Sequence, residues 1–225
     1  MLHAHSTESG EAHSLGSKPF WVDLLNPTSE ETARVAADYH IEVPPRESLQ
    51  EIETSSRLRS DGGVLYVSMP FALEDEGAGF APVPLGFIIS PELLVTVRYS
   101  DVHAFAQVEA GIALGSHASS AVFVALIEAM VDFGADRLER LSNNLAALSA
   151  RVFGPEGSAQ PRNRHFSRAL RECLKGIGMA GDHLSRIRES MLGLQGVIGF
   201  VVKTSTAWSP DEKARRSTAQ QDLAS

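Results

Sequence analysis

The sequence has a single cysteine, Cys173, among 225 residues. A lone thiol can form neither an internal disulfide nor a thiolate zinc site, which suits a reducing compartment. No apolar run reaches the roughly 18–20 residues that a membrane-spanning helix needs; the best, Met191 to Val202, is interrupted by Gln195. Basic charge is short as well: 20 Lys and Arg face 28 Asp and Glu, for a net charge of −8. Such a chain repels phosphate backbones, and no nucleic-acid partner is expected. The first 17 residues lack a basic segment followed by an apolar core, so they form no secretory signal. Residues 1–18 read as a disordered tail.

Catalytic signatures are missing too. There is no nucleophile elbow, no P-loop and no dinucleotide-binding fingerprint placed after a strand. Gly176-Ile177-Gly178-Met179-Ala180-Gly181 imitates the last of these but lies inside a helical stretch. Cys173 with His183 reads as a buried helix cysteine and a scattered histidine rather than as a nucleophile pair. The eight histidines show no His-Glu-x-x-His spacing. His3 beside an N-terminal amine is a square-planar nitrogen set of the kind Cu²⁺ or Ni²⁺ takes, incidental in a tail. The chain is not expected to be an enzyme.

What is present is a globular composition, 43% hydrophobic and 21% charged, enough for a buried core. Phe20 to Leu25 is a short apolar run stopped by Asn26-Pro27, as a strand is. Thr28 with Glu31 forms a capping box that opens a helix to about Tyr39. Pro44-Pro45 predicts a second helix from Arg46 to about Thr54, with Leu49 and Ile52 inward. Asp61-Gly62-Gly63 predicts a hairpin between residues 57–59 and 64–71. Glu74 to Pro82 reads as an exposed acidic loop, and two further strands, 83–89 and 93–99, turn at Ser90-Pro91-Glu92. These last two are nearly continuous apolar runs, which implies a sheet covered on both faces.

Beyond Tyr99 helical spacing takes over. Val122, Leu126, Met130, Phe133, Leu138, Leu141, Leu145, Leu148 and Val152 predict a long helix from Ser119, ended by Phe153-Gly154-Pro155-Glu156-Gly157. A return arm follows from about Arg162 through Leu170, Leu174, Ile177, Met191, Leu194 and Val201, its glycines allowing close approach. The fold class is therefore α/β, a mixed sheet between helix layers, followed by a long antiparallel helical hairpin. Its parts are an α/β unit over residues 19–115, the hairpin over 116–207 and a polar segment over 208–225.

In order and in residues these stretches resemble the cytosolic domain of the CorA family of magnesium transporters. The resemblance rests on Trp21-Val22-Asp23-Leu24-Leu25-Asn26-Pro27-Thr28 with Glu30-Glu31, on Pro44 through Glu53-Thr54-Ser55-Ser56-Arg57-Leu58, and on Leu93-Leu94-Val95-Thr96-Val97-Arg98-Tyr99. It rests also on Leu126-Ile127-Glu128-Ala129-Met130-Val131-Asp132 with Leu138-Glu139-Arg140-Leu141, and on Ile187-Arg188-Glu189-Ser190-Met191-Leu192-Gly193-Leu194-Gln195. It spans about residues 19–222. The family continues into a stalk helix, two membrane helices and a Gly-Met-Asn signature, none of which this sequence contains. The expectation is a soluble fragment, reaching a membrane only through those C-terminal helices, at the cytoplasmic face of the inner or plasma membrane. Its partners would be neighbouring copies of itself, a homopentamer in the full-length transporter.

The resemblance also implies divalent-cation sites between neighbouring domains, which places Glu51 as the best-matched carboxylate and Glu53 beside it. Mg²⁺ is the implied ion, with Co²⁺, Ni²⁺ or Zn²⁺ compatible; oxygen ligands with retained waters suit Mg²⁺. The implied function is that of a regulatory domain that senses cytosolic cations and gates a pore this chain lacks. The same residues also read as a solvated helix face with Glu47. Glu128, Asp132, Asp136 and Glu139 likewise lie at helical spacing on a face that Arg137 and Arg140 partly neutralise. The alternative from a different class is a stand-alone soluble α/β ligand-binding or protein-interaction domain.

Overall fold

The computed structural model describes residues 1–5, 18–51, 53–75, 79–112, 118–153 and 164–204. Six strands, β1 (Leu2–His5), β2 (Trp21–Leu25), β3 (Leu58–Asp61), β4 (Val64–Asp75), β5 (Gly79–Ile89) and β6 (Leu94–Arg98), form one sheet in the order β1-β2-β6-β5-β4-β3. The β2–β6 pair is parallel and every other pair is antiparallel. One face is covered by α1 (Ser29–Tyr39) and α2 (Arg46–Leu49), which bury Val35 and Leu49 against Val22, Leu24, Val95 and Val97. The other is covered by α4 (His103–Ile112), α5 (Ser119–Phe153) and α6 (Arg164–Thr204), around Trp21, Met69, Phe87 and Leu94. The expected mixed sheet between helix layers is what forms.

Local chemistry explains the well-read elements. Thr28 Oγ1 accepts from the Glu31 N–H at 3.2 Å while the Glu31 carboxylate accepts from the Thr28 N–H at 2.9 Å, the reciprocal cap that opens α1. Gly62 and Gly63, at φ of 55° and 86°, close the β3–β4 turn in the region that glycine enters without steric cost. The β5–β6 turn is closed by Ser90, whose N–H donates to the Leu93 carbonyl at 2.9 Å and whose Oγ accepts from the Leu93 N–H at 3.0 Å. α5 and α6 run antiparallel, since Gly134 faces Met191 and Gly176 faces Leu148. At Gly176 an added Cβ would lie 2.8 Å from Leu148 Cδ1, so close approach needs the glycine there. Gly178 and Gly181, expected to do the same, face open space.

Several expectations are corrected. Residues 2–5 of the expected tail are an edge strand: they pair antiparallel with β2, and the His5 ring stacks on Trp21 with centroids 4.6 Å apart. That partner lies across the sheet, so a local reading cannot find it. The helix expected over 46–54 stops at Leu49, and a separate turn, α3 (Thr54–Arg57), begins where Ser56 and Arg57 donate to the Glu53 carbonyl. Ile52 lies outside the described residues. Helix α4 (His103–Ile112) lies between the last strand and the long hairpin, where the sequence pattern predicts no separate element.

Of the acidic loop expected over 74–82, residues 76–78 lie outside the described residues, and the rest is the far end of a long β4–β5 hairpin, in which Glu74 pairs with Phe80 and Pro70 with Pro84. Prolines normally argue against a strand, because they cannot donate to a ladder. Here β3 accompanies β4 only as far as Val67, and β6 accompanies β5 only from Leu85. Pro70, Pro82 and Pro84 therefore occupy edges where no neighbour asks for an N–H. Beside them the Ala72 N–H is taken up at 2.7 Å by Ser190 Oγ of α6, which blunts an otherwise open edge. Cys173, expected buried, is only half-buried. Residues 6–17, the turn at 154–157 and the segment 208–225 lie outside the described residues.

Candidate functional site

The two carboxylates singled out for cations sit on either side of the break between α2 and α3. Both are exposed, and neither is on a helix. The Glu51 N–H still donates to the Ser48 carbonyl, whereas Glu53 supplies the carbonyl that starts α3. Glu51 lines a recess of about 130 Å³ with Glu42, Ser48, Arg57, Arg59 and Tyr66. Arg59 is committed there: it pairs with Glu42 and lies over the Tyr66 ring, 4.2 Å from its centroid. Among the described residues no three His, Cys, Asp or Glu side chains converge as a metal cluster.

The acidic face of α5 divides. Glu128 and Asp132 line a cleft of about 330 Å³ between α4 and α5, together with Gln107, Val108, Ile112 and Val122. Asp136 and Glu139 are exposed farther along. Arg137 turns to the hairpin instead, where it pairs with Glu74 and lies over Phe133 and Phe80, at 4.7 and 5.8 Å from the ring centroids. It clamps the β4–β5 tip onto α5.

The centre of the sheet holds a charged pair. Asp23 of β2 and Arg98 of β6 are both nearly fully buried, joined by Nη2–Oδ2 at 2.8 Å and Nε–Oδ2 at 3.0 Å. Thr96 Oγ1 donates to Asp23 Oδ1 at 2.6 Å, and Trp21 Nε1 donates to Thr96 Oγ1 at 3.1 Å. Arg98 Nη1 reaches the Ser100 carbonyl and Asp101 Oδ1, and the guanidinium lies 4.6 Å from the Phe105 ring centroid. A buried ion pair tolerates burial only when its remaining donors and acceptors are met. Here they are, so this network fixes the β2–β6 register and leaves no open coordination position.

Two of the stretches that carried the resemblance meet in this network, and a third supplies Ser190 and the Gly193 that packs on Met69. Residues 16–224 match the family described as CorA-like Mg²⁺ transporter protein. The chain belongs to this family. It is 23% identical over 199 residues to the magnesium transport protein CorA of Wolinella succinogenes, covering 85% of this chain and 58% of that protein. It is 27% identical over 196 residues to that of Haemophilus influenzae, covering 87% and 60%. The chain thus spans about three-fifths of the curated relatives it matches.

Its fold is that of the soluble domain of CorA from Methanocaldococcus jannaschii, with a TM-score of 0.73 at 14% identity over 99% of this chain and 87% of that one. It is also similar to the ZntB cytoplasmic domain from Vibrio parahaemolyticus, at TM-score 0.66 and 13% identity over 91% and 77%. The CorA-like sheet and hairpin expected from sequence are therefore present. Among the described residues no helix is long and apolar enough to cross a membrane.

Proposed function

We propose that this chain is the cytosolic regulatory part of a CorA-like divalent-cation transporter, in which cation-dependent packing between copies gates a pore carried elsewhere in the protein. The reading is carried by the match to the CorA-like Mg²⁺ transporter family over residues 16–224. The ion is Mg²⁺, with Co²⁺, Ni²⁺ and Zn²⁺ as the alternatives to test. The partner is a neighbouring copy, five of which would make the ring at the cytoplasmic face of the membrane.

The physical logic is electrostatic. Copies with a net charge of −8 repel when their acidic surfaces face each other, and a bound cation removes that repulsion. Mg²⁺ keeps several waters, so one or two carboxylates from each copy suffice. Glu51 and Glu53 are exposed and so able to face a neighbour. Arg57 and Arg59 line the recess of Glu51, so in this reading Glu51 is a weak ligand alone and a facing copy supplies the remaining charge.

The test is thermal unfolding of the chain with and without millimolar Mg²⁺, repeated for Glu51→Ala and Glu53→Ala. Binding to the native state raises the midpoint by mass action. The expected result is a Mg²⁺-dependent rise lost in Glu51→Ala. An equal rise in both variants moves the site off this segment, and no rise in the parent chain or in a stalk-bearing one overturns cation sensing.

A further inference from the structure

A second cleft shares Arg57 with the recess of Glu51 but opens on α6. It encloses about 440 Å³ where β3 ends, between the uncovered edge of β4 and the face of α6. Arg57, the last residue of α3, and Arg188 of α6 line it together with Ser68 and Ser185. Leu58, Pro70, Leu192 and Val197 form an apolar wall. Such a volume with a few polar groups over apolar walls is in the range of small-molecule sites.

The two arginines differ from those that hold the fold together. Arg59, Arg98 and Arg137 each hold a carboxylate. Arg57 and Arg188 hold none among the described residues. Arg57 Nε is buried and makes no hydrogen bond, and buried donors are rarely left that way without a ligand or water to meet them. Two arginines and one acidic residue, Glu189, line the cleft, so the cleft itself carries an excess of positive charge in a strongly acidic molecule. The adjoining recess that Arg57 shares adds Arg59 against Glu42 and Glu51. The guanidinium fork matches a tetrahedral oxyanion in a bidentate way.

We propose that this cleft binds the phosphate group of a small organic phosphate monoester, with Arg57 and Arg188 on the oxyanion and the Leu58–Leu192 wall against the organic part. Gly196 also lines the cleft, and a Cβ there would meet nothing within 4 Å. The site needs no divalent cation, so it stands or falls separately from cation sensing.

The test is titration calorimetry of the full chain, in chelator and at constant ionic strength, with inorganic phosphate, phenyl phosphate and potassium chloride. Both phosphates are expected to bind saturably, phenyl phosphate more tightly because it alone meets the apolar wall. Arg57→Gln and Arg188→Gln each weaken binding about tenfold or more, the loss of a charge-assisted contact. Arg188 is exposed, so its variant keeps the test valid where Arg57→Gln fails to fold. Gly196→Leu adds an apolar side chain to the lining without altering charge and weakens phenyl phosphate binding. Heats no greater than with chloride, or unchanged affinity in Arg188→Gln, overturn the site. Equal affinity for the two phosphates overturns the organic part and assigns the cleft to free phosphate.

Discussion

The inner and outer halves of the α5–α6 hairpin carry the same kinds of residue and meet different fates. Near the sheet, Leu126, Met130, Leu194 and Val201 are fully buried, because sheet and helices close on them from several sides. Farther out, Leu170 is 41% exposed, Leu174 61% and Ile177 52%. There, among the described residues, the two helices meet through the Gly176–Leu148 approach and an exposed Arg151–Glu172 pair at 3.8 Å, of a kind that contributes little. Helical spacing shows that an apolar stripe exists; whether it is buried depends on a third layer that spacing does not report. The comparison also divides the molecule dynamically. The inner half should open only with the whole domain, and the outer arm well before it.

The largest break is expected at the sheet itself. Arg98→Met leaves Asp23 buried without its cation and should cost about 3–5 kcal/mol in urea unfolding. A loss below 1 kcal/mol would mean that Asp23 is protonated or hydrated in the fold. Next comes the direct comparison of the two halves. Leu194→Ala removes a fully buried side chain and should cost about 2–5 kcal/mol, whereas Leu174→Ala should stay within about 0.5 kcal/mol. Equal losses at the two positions would show that the outer arm is packed against something in solution.

The elements legible in the sequence were those whose signal is local. The Thr28–Glu31 box, the Gly62-Gly63 turn and the Ser90 turn are each decided within a few residues, and each formed. The elements that escaped are decided by distant partners. β1 exists because β2 has a free edge, and Pro70, Pro82 and Pro84 sit in strands because β3 and β6 are shorter than the hairpin they flank. The same holds at the candidate sites. Glu51 and Glu53 are legible as carboxylates, but the break after Leu49 that takes both off a helix is not, and Leu49 itself seats over Gly86, 37 residues away along the chain. Arg57 and Arg188 could not be paired from sequence, since only the end of β3 brings them to one cleft.

A gain rather than a loss sharpens the comparison further. Gly178 lies in the outer half, in helix α6, with nothing within 4 Å of an added Cβ. Gly178→Ala removes the backbone freedom of glycine without a clash and should stabilise by up to about 1 kcal/mol. If the outer arm frays before the domain unfolds, the gain appears as slower amide exchange in that arm and little change in the global midpoint. A full gain in the midpoint would instead show that the arm unfolds together with the inner half.

The smallest effect tests the opposite border of the sheet. His5 holds β1 against β2; its Nε2 makes no hydrogen bond and lies 3.5 Å from Glu109 Oε1. Burial lowers its pKa below the ordinary 6.5, against the opposing pull of Glu109 and Asp23 and with a minor push from His3. The native state therefore favours neutral His5 and binds fewer protons than the unfolded chain. Its contribution to stability is complete above pH 6.5 and declines as the pH falls from there through the lower folded value. His5→Phe, which keeps a ring over Trp21, should flatten this part of the stability profile in chemical denaturation at pH 5 and pH 8. If the profile keeps its slope, the protons are taken up elsewhere and β1 is held by its backbone ladder alone.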